Sequence, residues 1–196
     1  VWENFRRWRD AGTLERVHAA LRAQVRVRDG RPPTPSALSL DSLSVNTTEK
    51  GGAKVFDVAK RVKGRKRHLC VDTLGLIWAL TVHAADLQDR VATKQVLWAL
   101  RPKRARPRLR VLWADGANLG PLGTWVRRML GADLVIVRKL AAQPGFVPLP
   151  KRWVAERTFA WLGRYRRLSE DYEERPASSA TWIYAATTHL RVRRLA

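Results

Sequence analysis

Three acidic residues stand where a carboxylate could do chemistry: Asp41 in LSLDSLSV, Asp115 in RVLWADGA and Glu156 in KRWVAERTFAWLGRYRRL. Carboxylate oxygens are hard donors, suited to divalent cations such as Mg2+. The chain around them holds 38 Lys and Arg against 17 Asp and Glu, a formal net charge of +21. Isolated acids on a positive surface are what metal-assisted cleavage of a polyanion requires, because the acids hold metal while the cations hold phosphate. Each acid also has an ordinary reading. Asp41 lies in a run of alternating apolar and polar residues and reads equally as an outward-facing residue near a strand end. Asp115 followed by Gly116 is common turn chemistry, although the carboxyl end of a strand is also where open α/β sheets place ligands. Glu156 has Arg152 one helical turn before it, a spacing that suits an exposed ion pair.

The elements that must position these acids follow from hydrophobic periodicity. Residues 1–28 read as two short helices broken at Gly12, with Trp2, Phe5 and Trp8, then Leu14, Val17 and Leu21, at helical spacing. DGRPPTPS (29–36) is a loop. ALSLDSLSV reads as a strand with Leu38 and Leu40 toward the core, and residues 46–67 are polar and increasingly basic. HLCVDTLGLIWALTVHAA places two apolar runs around DTLG and reads as a β-hairpin. A helix over 88–100, a basic loop over 101–108, a strand ending at Asp115, a helix over 121–130 and a strand in ADLVIVRK follow. After a Pro-rich loop (141–151), the longest clear helix covers about 152–168. Its apolar stripe is Val154, Thr158, Trp161, Leu162, Tyr165 and Leu168, which leaves Glu156 on the far side with Arg152, Ala160, Gly163 and Arg167. Pro176 interrupts the chain, and Ser178 or Ser179 is placed to cap a final helix through residue 195. This order predicts an α/β fold with a central mixed sheet.

Composition narrows the setting. A hydrophobic content of 45% argues for a folded domain rather than a basic disordered tail. No apolar stretch reaches membrane-spanning length, and the first residues do not resemble a secretory signal. With the single Cys70, which reads as a core residue, these features fit a cytoplasmic protein. The nine Trp read mostly as packing residues. The charge makes nucleic acid the first expectation for a partner; an acidic membrane surface would call for a basic amphipathic helix. The opening VWENFRRW reads as the middle of a helix, which fits either a non-standard initiation codon or a missing upstream part.

Taken together, FRRWRDAGTLERV, LDSLSV, VKGRKRHLCVDTLGL, HAADLQDR, WADGA and PKRWVAERTFAWLGRYRRLSEDYE resemble the bacterial insertion-sequence DDE transposases. Within that family the chain is similar to the branch with an arginine–glutamate signature in its last catalytic helix. The resemblance implies an RNase H-like catalytic domain over 37–175, a helical extension over 1–30 and a C-terminal helix over 178–196. It implies that Asp41, Asp115 and Glu156 are the catalytic and metal-binding acids, 74 and 41 positions apart. It also implies two Mg2+ or Mn2+ ions, double-stranded DNA as element end and target, a homodimer in the active complex, and Arg152 beside the scissile phosphate. The chain departs from the signature at Leu149, where a tyrosine is usual. No lysine follows Glu156 at the expected distance, where Arg164 and Arg166 are the nearest cations, and Asn118 stands at a position that is often aromatic. Such transposases usually carry a further helical segment that binds the element's terminal repeats, and it is absent from this sequence. A truncated remnant that binds DNA without cutting it is therefore the alternative reading.

The basic residues fall into runs: Lys60, Arg61, Lys63, Arg65, Lys66 and Arg67; residues 101–110; and Arg164, Arg166 and Arg167. A charge run is usually a solvated face. Three of them with few acids point to phosphate contact, and Lys60, Lys63, Arg65, Lys66, Arg67, Arg152, Arg164 and Arg167 are the candidate DNA contacts. They would position a duplex while carrying little sequence information. His68 and His83 read as packed, Asp72 as a turn residue and Asp89 as a helix-junction residue. A basic RNA-associated protein is a third possibility.

Overall fold

Leu38, Leu40 and Val45 alternate with polar residues along the chain, and that alternation builds the central strand β1 (Ala37–Asn46) of a mixed sheet. The structure, a computed structural model, describes residues 2–49, 52, 54–57, 61–84, 89–101, 107–116, 120–138 and 149–196. Two helices precede β1: α1 (Trp2–Asp10) and α2 (Thr13–Arg28), broken as predicted at Gly12, whose φ of 62° suits a residue without a side chain. After β1 come β2 (Val55–Asp57), β3 (Val62–Asp72), β4 (Ile77–Ala84), α3 (Asp89–Trp98), β5 (Val111–Ala114), α4 (Leu122–Leu130), β6 (Asp133–Ile136), α5 (Pro150–Gly163) and α6 (Pro176–Leu195).

The sheet has an RNase H-like order. β4 pairs antiparallel with β3, β3 antiparallel with β1, and β1, β5 and β6 run parallel side by side. The short β2 pairs with the first residues of β3, ahead of the stretch that β4 covers. Because side chains alternate between the two faces, the sheet separates two cores. Leu38, Leu40, Cys70, Ala79, Leu112 and Ala114 face α3 and α4. Leu69, Val71, Ile77 and Val82 face α5 and α6, where Ala155, Phe159, Leu162 and Ile183 meet them.

The N-terminal helices are tied to the hairpin by charge as well as by packing. Arg22 lies over the Trp78 ring, 3.6 Å from its centroid. Arg26 donates to Asp72 at 2.5 Å and to the Pro32 carbonyl at 2.8 Å. Asp72 is a turn residue, as read from sequence, and it is fully engaged. One oxygen accepts from the Leu74 and Leu76 amides, the other from Arg26 and Trp78 Nε1.

Several boundaries differ from the sequence reading. The hairpin's first strand starts at Val62 rather than near His68, so the basic run lies inside a strand. The helix predicted over 152–168 ends at Gly163, and a 3-10 turn at Arg166–Leu168 follows. Pro176 opens α6 instead of interrupting the chain, because a missing N–H costs nothing at the first helical position. Ser178 and Ser179 therefore lie buried inside α6, and no side chain caps its start. Cys70 is core, as expected, but Trp2, Trp8, Trp98 and Trp153 are exposed. Arg101 stands over Trp98 and Arg157 over Trp153, contacts that suit a half-wet indole.

Candidate active site

Asp41 belongs to the middle of β1, where it pairs with Leu69 of β3. Leu69 faces α5, so Asp41 faces α5 as well, opposite to its neighbour Leu40. Parallel pairing of β1 with β5 matches Ser39 to Trp113. Carried two residues further, that register sets Asp41 level with Asp115 and on the same face. Asp115 follows the last residue of β5, at the carboxyl end of the strand. Helix α5 then crosses this face, with Lys151 over the Trp113 ring at 5.6 Å from its centroid.

The rotation of α5 decides where Glu156 points. Its buried residues are Ala155, Thr158, Phe159 and Leu162, whereas Val154 and Trp161 are only partly buried. This corrects the predicted stripe. Trp161 sits at the flank because the Arg157 guanidinium covers its ring at 4.7 Å, and Ala155 lets the helix approach the sheet. Glu156 then lies beside the buried stripe rather than opposite to it, 42% exposed. Arg152, one turn earlier, extends an Nη2 that is 3.9 Å from both an Asp41 oxygen and a Glu156 oxygen. At that distance it is an ion-pair partner to both acids and a hydrogen-bond donor to neither.

The electrostatics bear the marks of this convergence. Burial pushes the Asp41 carboxyl up to about 6, and the charges of Asp115 and Glu156 push the same way. The Ser42 amide, 2.9 Å from an Asp41 oxygen, and Arg152 oppose the rise without cancelling it. Asp41, Asp115, Glu156 and Arg152 thus form one electrostatic unit. Among the described residues, however, no three His, Cys, Asp or Glu side chains meet at ligating spacing.

The predicted phosphate contacts divide. Lys63, Arg164 and Arg167 are exposed, although Arg167 is paired with Glu173 through two hydrogen bonds of 2.9 and 2.6 Å. Arg65, Lys66 and Arg67 are buried at 0, 6 and 1% exposure, which removes them from a solvent-facing groove. Arg65 donates to Asp171 and to the Glu173 and Glu174 carbonyls, and Arg67 to the Leu168 and Glu170 carbonyls. The connector from α5 to α6 supplies these acceptors, and burial without them would be prohibitive for a guanidinium. Lys60, Asn118 and Lys103, Arg104 and Arg106 of the second basic run lie outside the described residues. His68 and His83 stack on each other, 4.9 Å between ring centroids, in keeping with a packing role.

The comparisons with known proteins bear on this arrangement. No protein with a curated description matches the chain in sequence. Among solved structures, the crystal structure of the Mos1 strand transfer complex covers 93% of this chain at 15% identity, with a TM-score of 0.44. The Mos1 transposase paired-end complex with left transposon end also covers 93%, at 12% identity and a TM-score of 0.38. The chain spans 59% and 60% of the length of those two proteins. Residues 32–191, which run from the loop before β1 into the last turns of α6, match the family model described as a transposase DDE domain. With both aspartate strands and the whole of α5 inside that match, the chain belongs to the transposase DDE domain family.

Proposed function

We propose that this protein is a DNA transposase that cleaves phosphodiester bonds at the ends of an insertion element and joins them to target DNA. One observation carries the reading. Asp41, Asp115 and Glu156 come from a strand, a strand end and a helix far apart in sequence, yet the charges of Asp115 and Glu156 both reach Asp41, with Arg152 between Asp41 and Glu156. A structural role gives no reason to crowd acids in this way. Family membership supports the same assignment.

The donor set fits Mg2+ or Mn2+, because it is made only of hard oxygens and because Asp115 and Glu156 stand near enough to buried Asp41 for their charges to act on it. Two such ions, when bound, supply Lewis-acid stabilisation of the attacking and leaving oxygens. The chain's own residues supply placement. Asp41 sits within β1, Asp115 directly follows the neighbouring β5, and α5 carries Glu156. Arg152 is placed to meet a phosphate oxygen while limiting repulsion between Asp41 and Glu156. In cleavage, a P–O bond breaks as a bond from phosphorus to a water oxygen forms. In joining, a DNA 3′-hydroxyl takes the place of water.

The test is nicking of duplex DNA in Mg2+ or Mn2+. Asp41→Asn, Asp115→Asn and Glu156→Gln should each lower the rate by about a hundredfold or more, with DNA binding retained. A second reading, a DNA-binding protein that does not cut, is favoured by the absence of ligating spacing among the described acids. Equal nicking by the wild type and the three variants would leave that second reading standing.

A further inference from the structure

Beside the β3–β4 turn lies a cleft that the acidic cluster does not line. It is walled by the turn, the second half of α5 and the last residues of α6, and its volume is about 310 Å3, the scale of a small-ligand cavity. Most of its surface is apolar, with Leu76, Trp161 and Leu190 in the lining. Gly75, Thr158 and Thr187 line it as well, together with Arg191, Arg193 and Arg194, and no acid lines it among the described residues.

Arginines in the last turns of a helix are ordinary, since they complement the helix dipole. Arg194 fits that account and is occupied, with one nitrogen 3.0 Å from an Asp29 oxygen and the other 3.4 Å from the Leu74 carbonyl. Arg191 does not fit it. Its residue is 2% exposed, and its Nε has no hydrogen-bond partner. Asp72, the one acid whose charge supports it, has both oxygens taken by Arg26, Trp78 and two turn amides. Burial, and then the like charge of Arg22, lower the Arg191 pKa to about 9. A buried guanidinium left in this state is unfinished, and an anion in the cleft completes it.

We propose that this cleft is a nucleotide pocket, in which Arg191 and Arg193 hold a phosphate and the part of the Trp161 ring turned to the cleft, away from Arg157, receives a base together with Leu190. Phosphate alone would not need the apolar wall, and an apolar ligand would leave the arginines unanswered. Trp161 lies five residues beyond Glu156, about 8 Å along the helix axis. The occupant is either a free nucleotide or the end of a DNA strand. The assignment needs no divalent cation, so its failure is separable from failure of the cleavage reading.

The experiment is calorimetric titration of the full chain at low salt without divalent metal. The ligands are dTMP, a 5′-phosphorylated trinucleotide and inorganic phosphate. Saturable binding of dTMP or the trinucleotide is expected. Arg191→Met should weaken it by about tenfold or more, as loss of a charge-assisted bond does. Trp161→Ala should weaken the nucleotides while leaving inorganic phosphate unchanged. Arg193→Ala, at an exposed residue, tests the same pocket if Arg191→Met does not fold. Tighter binding of the trinucleotide than of dTMP assigns the pocket to a strand end, and equal binding assigns it to a free nucleotide. No saturable nucleotide binding by the wild type would overturn the proposal. So would binding within about twofold of wild type by both arginine variants.

Discussion

At the scale of single residues, Asp41 shows how a site can be held against the interest of stability. Its carboxyl titrates near 6 in the folded protein against an ordinary 3.8, chiefly because it is buried. Between those values the folded chain keeps a proton that the unfolded chain has released. Stability therefore falls as pH rises through that window, and above it the full penalty applies. A rise of this size corresponds to about 3 kcal/mol for the isolated group, with Arg152 already included as an opposing charge. Asp41→Asn should accordingly raise stability at pH 8 by about 1–3 kcal/mol, and the advantage should disappear below about pH 4. Urea denaturation across pH checks this, and a difference that stayed constant with pH would refute it. Mg2+ should reverse the order. On the proposed function it stabilises the wild type by mass action and leaves Asp41→Asn less affected.

At the scale of elements, β3 carries a role that its composition conceals. Arg65 and Arg67 stand on the α5 side of the strand and clamp residues 168–174, while the end of β1 pairs with Asp171. Helix α5 is thereby held where its chain leaves it as well as where Arg152 meets Asp41. Arg65→Met leaves Asp171 buried without its 3.2 Å ion-pair partner and frees two backbone carbonyls. It should cost about 3–5 kcal/mol in chemical denaturation. A loss under about 1 kcal/mol would show that the clamp is dispensable. The strands around the site were legible because alternation is local: Leu38 and Leu40 place β1, and DTLG places the hairpin. The clamp was not legible, because KGRKR looks the same whether it meets solvent or carbonyls a hundred positions away. The stripe of α5 failed for a similar reason. Trp161 counts as apolar on a helical wheel, whereas Arg157 allows it to stay at the flank. The acids themselves were nominated by residue type and family resemblance. That Asp41 and Asp115 stand level on one face depends on parallel register between β1 and β5, which no local pattern encodes.

At the scale of the whole molecule, a formal charge of +21 overstates what a DNA duplex can meet. Arg26, Arg65, Lys66, Arg67 and Arg191 are buried, and the first, second and fourth are spent on internal acceptors. No helix among the described residues is long and apolar enough to cross a membrane. Exposed Arg164 and Arg166 leave the end of α5, the helix that also carries Glu156. On the proposed function they touch phosphates flanking the cleaved bond. Each such contact releases counterions and adds about 0.9 to the slope of log affinity against log salt. The double variant Arg164→Ala, Arg166→Ala should therefore lower that slope by about 1–2, almost equally for every DNA sequence tried. Arg67→Met, checked for folding by circular dichroism, should leave the slope unchanged because its guanidinium is bonded inside the protein. Fluorescence anisotropy over a range of salt makes the comparison. If Arg67→Met lowered the slope as much as the double variant, the basic strand would have to open onto DNA, and the clamp on α5 would be the part given up.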